Sequence, residues 1–168
     1  LHYASQIDTF GGVLRKVKPS RRRSGCPVSI SLETLGDRWS LLVIRDLMVR
    51  GYRTFKQFEQ SDERIATNIL ADRLRRLERN GIISAEADPT DGRRMSYRLT
   101  EKGIDLAPLL LELLIWGARN EETMAPRELI AQMEQNREGV IAEVRRRWRE
   151  ADSTPMLPSF ANTQPARN

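Results

Sequence analysis

Residues 66–99 read ATNILADRLRRLERNGIISAEADPTDGRRMSYRL, and the changes of pattern within them decide the fold. Ile69, Leu70, Leu74 and Leu77 recur at helical spacing, which predicts a helix from about Ala66 to Arg79. Asn80-Gly81 is a stop signal, because a residue without a Cβ closes a last helical turn at little steric cost. Ile82 to Ala87 then reads as a strand. Asp88-Pro89-Thr90-Asp91-Gly92 is turn chemistry with Asp-Gly at its tip, and Met95 to Leu99 returns with Met95, Tyr97 and Leu99 on one face. Arg93 and Arg94 lie just past the tip.

Upstream, Thr54 can cap a short helix that turns Phe55 and Phe58 inward, and Ser61-Asp62-Glu63 makes a polar turn before Ala66. Two short helices joined by a tight turn outline a helix-turn-helix, and the basic-tipped hairpin that follows makes it a winged one. Before Thr54, one long helix is predicted from Ser31, as N-cap, to Gly51. Its inner stripe is Leu32, Leu35, Trp39, Leu42 and Val43, widened by Ile44, Leu47 and Met48. Downstream, Thr100 and Glu101 open a helix running to about Arg119. Ile104, Leu106, Leu109, Leu110, Leu113 and Trp116 are among the residues that leave it little polar face. A domain of this size cannot cover such a helix alone, so a second copy is expected against Leu109, Leu110, Leu113 and Trp116. One more amphipathic helix is predicted over 126–151, with Pro126 in its first turn, and residues 152–168 read as a flexible tail. The fold class expected is mostly α with a small β-hairpin wing, flanked by extra helices that form a dimer.

The bulk numbers narrow the function. The chain has 168 residues with a net charge of +5. Residues 1–25 hold six basic side chains (Arg15, Lys16, Lys18, Arg21, Arg22, Arg23) against Asp8, so this arm carries the whole excess and the body is balanced. Gly11-Gly12 and Pro19 break any periodicity there, which predicts a flexible basic arm over 1–25. No apolar run reaches the length of a membrane span or a signal peptide, and a cytoplasmic protein without a membrane partner is expected. The first residue is Leu rather than Met, which leaves the translation start open. There is one cysteine, Cys26, and one histidine, His2. A cysteine-based metal site, an internal disulfide and a histidine-dependent catalytic set therefore lack their parts. No enzyme, cofactor or metal is expected.

With these residues in view, the chain resembles the HxlR-type winged helix-turn-helix transcriptional regulators. The resemblance is carried in order by Cys26-Pro27-Val28, Leu35-Gly36-Asp37-Arg38-Trp39, Phe55-Lys56-Gln57-Phe58, Ile65 through Leu74, Leu77 through Ile83, Tyr97 through Gly103, and Trp116-Gly117. It covers residues 26 to about 119, which implies a winged domain over that span with its dimerisation helix at 101–119. It also implies a homodimer that binds operator DNA and regulates transcription. The arm and the segment after 120 depart from the family pattern.

The roles follow from residue chemistry. Thr67, Asn68, Ala71, Asp72 and Arg75 are the outer positions of the helix that would enter a major groove, where Asn pairs with adenine and Thr meets a thymine methyl. Arg93, Arg94 and Lys56 are candidate phosphate contacts. Trp39 and Trp116 read as core aromatics rather than stacking groups. Cys26 has two readings. One is a small buried apolar residue; the other, carried by the resemblance, is a sensor of oxidants or electrophiles. Double-stranded DNA and a second copy are the expected partners, with a small-molecule effector left open. The competing reading is a winged-helix protein-interaction module without specific DNA binding.

Overall fold

The computed structural model describes residues 24–88, 91–92 and 94–157. Eight helices and one hairpin are described: α1 (Pro27–Leu35), α2 (Arg38–Val49), α3 (Phe55–Glu59), α4 (Thr67–Arg79), β1 (Ile83–Ala87), β2 (Met95–Leu99), α5 (Glu101–Ile104), α6 (Ala107–Asn120), α7 (Arg127–Gln135) and α8 (Arg137–Arg149). Among them no helix is long and apolar enough to cross a membrane.

The central motif forms where its residues predict it. Thr54 caps α3 in a capping box, its side chain accepting from the Gln57 N–H while Gln57 reaches back to the Thr54 N–H at 2.9 Å. Leu70, Leu74 and Leu77 of α4 are buried against Ile44 and Leu47 of α2, Phe58 of α3 and Ile83 of β1. Gly81 takes φ +67° after the α4 C-cap, which explains the glycine. β1 and β2 pair antiparallel with Ile83 opposite Leu99 and Ala85 opposite Tyr97. The hairpin gains a third edge from the loop before α3: the Tyr97 N–H donates to the Arg53 carbonyl at 2.7 Å, and Thr54 bridges to Ser96.

Three long helices expected from the apolar stripe are each broken in two. The helix expected from Ser31 to Gly51 is interrupted at Gly36-Asp37. The Asp37 carboxylate accepts from the N–H groups of Trp39 and Ser40, each at 3.0 Å, and so starts a new helix. Ser31 is therefore interior to α1 and caps nothing, and Leu32 points outward at 58% exposure instead of joining the inner stripe. The helix expected over 101–119 breaks after Ile104. Pro108 has no N–H to give the Ile104 carbonyl, and its ring would collide with that oxygen in a continuous helix. The helix expected over 126–151 breaks at Asn136, whose side chain accepts from the Gly139 N–H at 3.1 Å to cap α8.

The C-terminal helices belong to the main body. Val144 of α8 is buried with the winged core, and the Trp148 indole donates to the Leu99 carbonyl at 2.7 Å. Leu111 and Ile115 of α6 pack with Met133 of α7 and with Leu157 in a second cluster. The expectation of a tail from 152 is corrected for residues 152–157. Met156 and Leu157 donate their N–H groups to the Val49 carbonyl, and Leu157 is buried. The arm over 1–23 and residues 158–168 lie outside the described residues.

Candidate DNA interface

One face of α4 is left uncovered by the core. Asn68, Asp72 and Arg75 are exposed on it, Ala71 is half-buried between them, and Arg79 continues it one turn on. These positions recur at helical spacing, so they share one side of the helix. Thr67 is exposed at the helix start, one turn before Ala71. Its hydroxyl donates to Glu59 Oε1 at 3.0 Å, which ties α4 to α3. Behind the face, Arg73 donates to Asp37 Oδ1 at 2.9 Å and to Asp72 Oδ2 at 2.6 Å, and Arg76 reaches the Glu33 carbonyl of α1. The helix is thus clamped to α1 and α2 by its flanking arginines, while its outer side chains stay at the surface.

The wing stands beside the far end of α4. Burial pushes the Tyr97 phenol of β2 up, with Glu78 of α4 adding to that and Arg75 opposing it. Arg94 is exposed near the hairpin tip and pairs with Asp91 at 3.1 Å. Arg93, named with it from the sequence, lies outside the described residues. Lys56 is exposed in α3. The proposed reading residues therefore gather on α4, with Lys56 and Arg94 on neighbouring elements. Arg79 was missed by the sequence reading, although its spacing from Asn68, Asp72 and Arg75 carried the signal. Arg64, exposed in the turn before α4 at φ +51°, was also missed and had no periodic signal.

Two other expected sites are separate from this face. Of the expected dimer residues, Leu109, Leu113 and Trp116 are exposed at 48%, 48% and 57%, whereas Leu110 packs into the core of its own chain. Trp116 is therefore not a core residue of the single chain; Trp39 does pack against the core. Val28 and Leu32 on α1 are exposed as a second apolar pair, and of the two only Leu32 is expected from the sequence in an inner stripe. Cys26 is exposed and precedes the first turn of α1, so the reading of it as a buried apolar residue is corrected. Among the described residues no group of three or more His, Cys, Asp or Glu side chains could hold a metal ion.

The family model for the HxlR-like helix-turn-helix matches residues 34–125. The chain belongs to the HxlR-like helix-turn-helix family. Among its relatives is YybR of Bacillus subtilis (strain 168), an uncharacterised HTH-type transcriptional regulator. It is 30% identical over 102 residues, which are 61% of this chain and 81% of YybR. The HTH-type transcriptional regulator YodB of the same organism is 34% identical over 93 residues, 55% of this chain and 82% of YodB. In structure, the HxlR-like chain is similar to PA1607 (TM-score 0.56, 38% identity, covering 64% of this chain and 72% of that one). It is also similar to the redox regulator HypR in its oxidised form (TM-score 0.52, 28% identity, covering 58% and 99%). As a member of this family the protein is a DNA-binding transcriptional regulator of the winged-helix type, and its relatives are regulators rather than enzymes.

Proposed function

We propose that this HxlR-like protein acts in the cytoplasm as a homodimer on a pseudo-palindromic operator. In this reading α4 meets base edges, and Lys56 and the wing arginines hold phosphates. The observation that carries it is the α4 face of Asn68, Ala71, Asp72 and Arg75. Asn68, Asp72 and Arg75 are exposed there on a helix whose other sides are packed or clamped, and Arg94 is exposed near the tip of the wing that follows. A recognition helix needs that combination of a free polar face and a rigid mount. Exposed Leu109, Leu113 and Trp116 support the second copy, since side chains this large gather on a surface chiefly where something covers them.

The test is fluorescence anisotropy with operator and scrambled duplexes across a salt series. Asn68→Ala is expected to cost about 1 to 3 kcal/mol on the operator and little on scrambled DNA, with an unchanged salt slope. Replacing Arg93 and Arg94 together by Ala is expected to weaken both duplexes and lower the slope by about one unit for each phosphate left without its arginine. Equal losses by the Asn68 variant on both duplexes would move the recognition surface off α4. Wild-type protein that prefers no genomic fragment would favour the interaction-module reading instead.

A redox input through Cys26 is a second reading, favoured by its exposed thiol and by the likeness to a redox regulator. Diamide is expected to change operator affinity, and Cys26→Ser to abolish the change. An unaltered wild-type response counts against it.

A further inference from the structure

Arg64 stands in the turn that joins α3 to α4, the two helices of the helix-turn-helix. Its neighbours anchor that turn. Ile65 is buried, Glu63 is held by Arg45 at 2.8 Å, and the Arg64 N–H donates to the carbonyl of buried Ser61 at 3.1 Å. These contacts fix the Arg64 Cα without using its side chain. The guanidinium is exposed, and among the described residues it makes no hydrogen bond or ion pair. Other arginines of the motif and its mount are engaged within the chain: Arg45 by Asp46 and Glu63, Arg73 by Asp37 and Asp72, and Arg76 by the Glu33 carbonyl.

Nor does the side chain suit its place in the fold. Arg64 sits at φ +51°, in the left-handed region that Gly51 and Gly81 also occupy. A Cβ is disfavoured there, and glycine is not. Its charge lies two residues before the Ala66 N-cap, where the positive end of the α4 dipole opposes a cation.

We propose that Arg64 holds a backbone phosphate of the DNA at the rim of the groove that α4 enters. When a helix-turn-helix docks, its first helix crosses the backbone and its second lies in the major groove, so the turn between them passes the phosphates. An exposed guanidinium on a fixed Cα presents its planar fork to a phosphate there. Phosphate contacts set register and carry no sequence information, so Arg64 adds affinity on any duplex and orients α4 for the bases. The contact rests on the regulator reading above.

The test uses a duplex selected from random-sequence DNA by the wild-type protein, with a scrambled duplex as control. Arg64→Gly, Arg64→Lys and Asn68→Ala of the full chain are compared by thermal melting, and by fluorescence anisotropy across a salt series. Arg64→Gly is expected to melt no lower than wild type, because glycine fits the left-handed position. It is expected to bind both duplexes about tenfold more weakly, with a salt slope lower by about one unit. Arg64→Lys keeps the charge, so it should restore the slope and part of the affinity. An Arg64→Gly variant that melts below wild type would assign the side chain to the fold and overturn the contact. Unchanged affinity, an unchanged slope or a slope that lysine does not restore would overturn it too. A loss confined to the selected duplex would make Arg64 a base contact instead of a phosphate contact. Conversion of a wild-type dimer to monomers by Arg64→Gly would show that the second copy covers the guanidinium, which also overturns it. If Asn68→Ala loses discrimination while Arg64→Gly binds like wild type, the Arg64 contact fails alone. Wild-type protein that selects no duplex would overturn the regulator reading and the contact with it.

Discussion

Asp37 shows how much one side chain settles. Its carboxylate caps α2, accepts from the Ser40 hydroxyl at 2.7 Å and receives Arg73 from α4. Burial pushes its acidity toward weaker ionisation, but the Ser40 hydrogen bonds and the Arg73 charge outweigh it and hold the group below its ordinary value of 3.8. A carboxyl depressed on folding stabilises the fold fully above that ordinary value, and the contribution is lost as pH falls through the folded one. Asp37→Asn retains a capping oxygen and loses the charge, whereas Asp37→Ala loses both. At pH 7 the Ala variant is expected to be about 1 kcal/mol less stable than the Asn variant. The gap between wild type and Asp37→Asn should persist at pH 5 and narrow only below about 3.8, as read from urea midpoints. A gap independent of pH down to about 2.5 would mean that the Arg73 pair contributes nothing.

At the scale of elements, α3, α4 and the hairpin were legible because each carries its own end signals. Thr54 with Gln57, Asn80-Gly81 and Asp91-Gly92 are short-range instructions that need no knowledge of the rest of the chain. The helix breaks at Asp37, Asp105 and Asn136 were hidden because the apolar spacing runs on across them. Leu32, Leu35 and Trp39 keep a helical period although Leu32 faces away from the core that holds the other two. Only cap chemistry marked those breaks: Asp37, Pro108 and Asn136. The attachment of α8 to the hairpin was hidden for a different reason, since it is a contact between residues 49 apart. That attachment can be tested. Trp148→Phe keeps most of the ring and removes the donor to the Leu99 carbonyl, so it is expected to cost about 1 kcal/mol. Amide exchange in β2 should quicken with it, and unchanged exchange there would show that α8 does not brace the wing.

For the whole molecule, the face of α4 was readable from outer-position spacing. The apolar cavity beside α2 was not, because α2, α6, α7 and α8 assemble it from distant stretches. The second copy is tested at this scale. Leu113→Glu places a charge at the centre of the exposed α6 stripe and is expected to yield monomers or aggregates. Monomeric wild-type protein in sedimentation at micromolar concentration would remove the reason for that expectation. Gly51, just past the end of α2, lies against the last described stretch of the chain. It sits at φ +71°, and a Cβ there would lie 1.8 Å from the Ser153 carbonyl oxygen. Gly51→Ala should therefore cost more than about 1 kcal/mol and make residues 150–157 the first site of proteolytic cutting. The same contact sets an order of events during synthesis. The end of α2 is closed by Ser153, Met156 and Leu157, about a hundred residues later in the chain. A ribosome must therefore deliver nearly the whole described sequence before that end can be sealed. Until then the apolar side of α6 waits without Met133 and Leu157 to cover it. Chains halted between α6 and α8 present that side to the cell's chaperones and proteases, so a late stop codon would abolish the regulator by removing the protein and not merely its last helix.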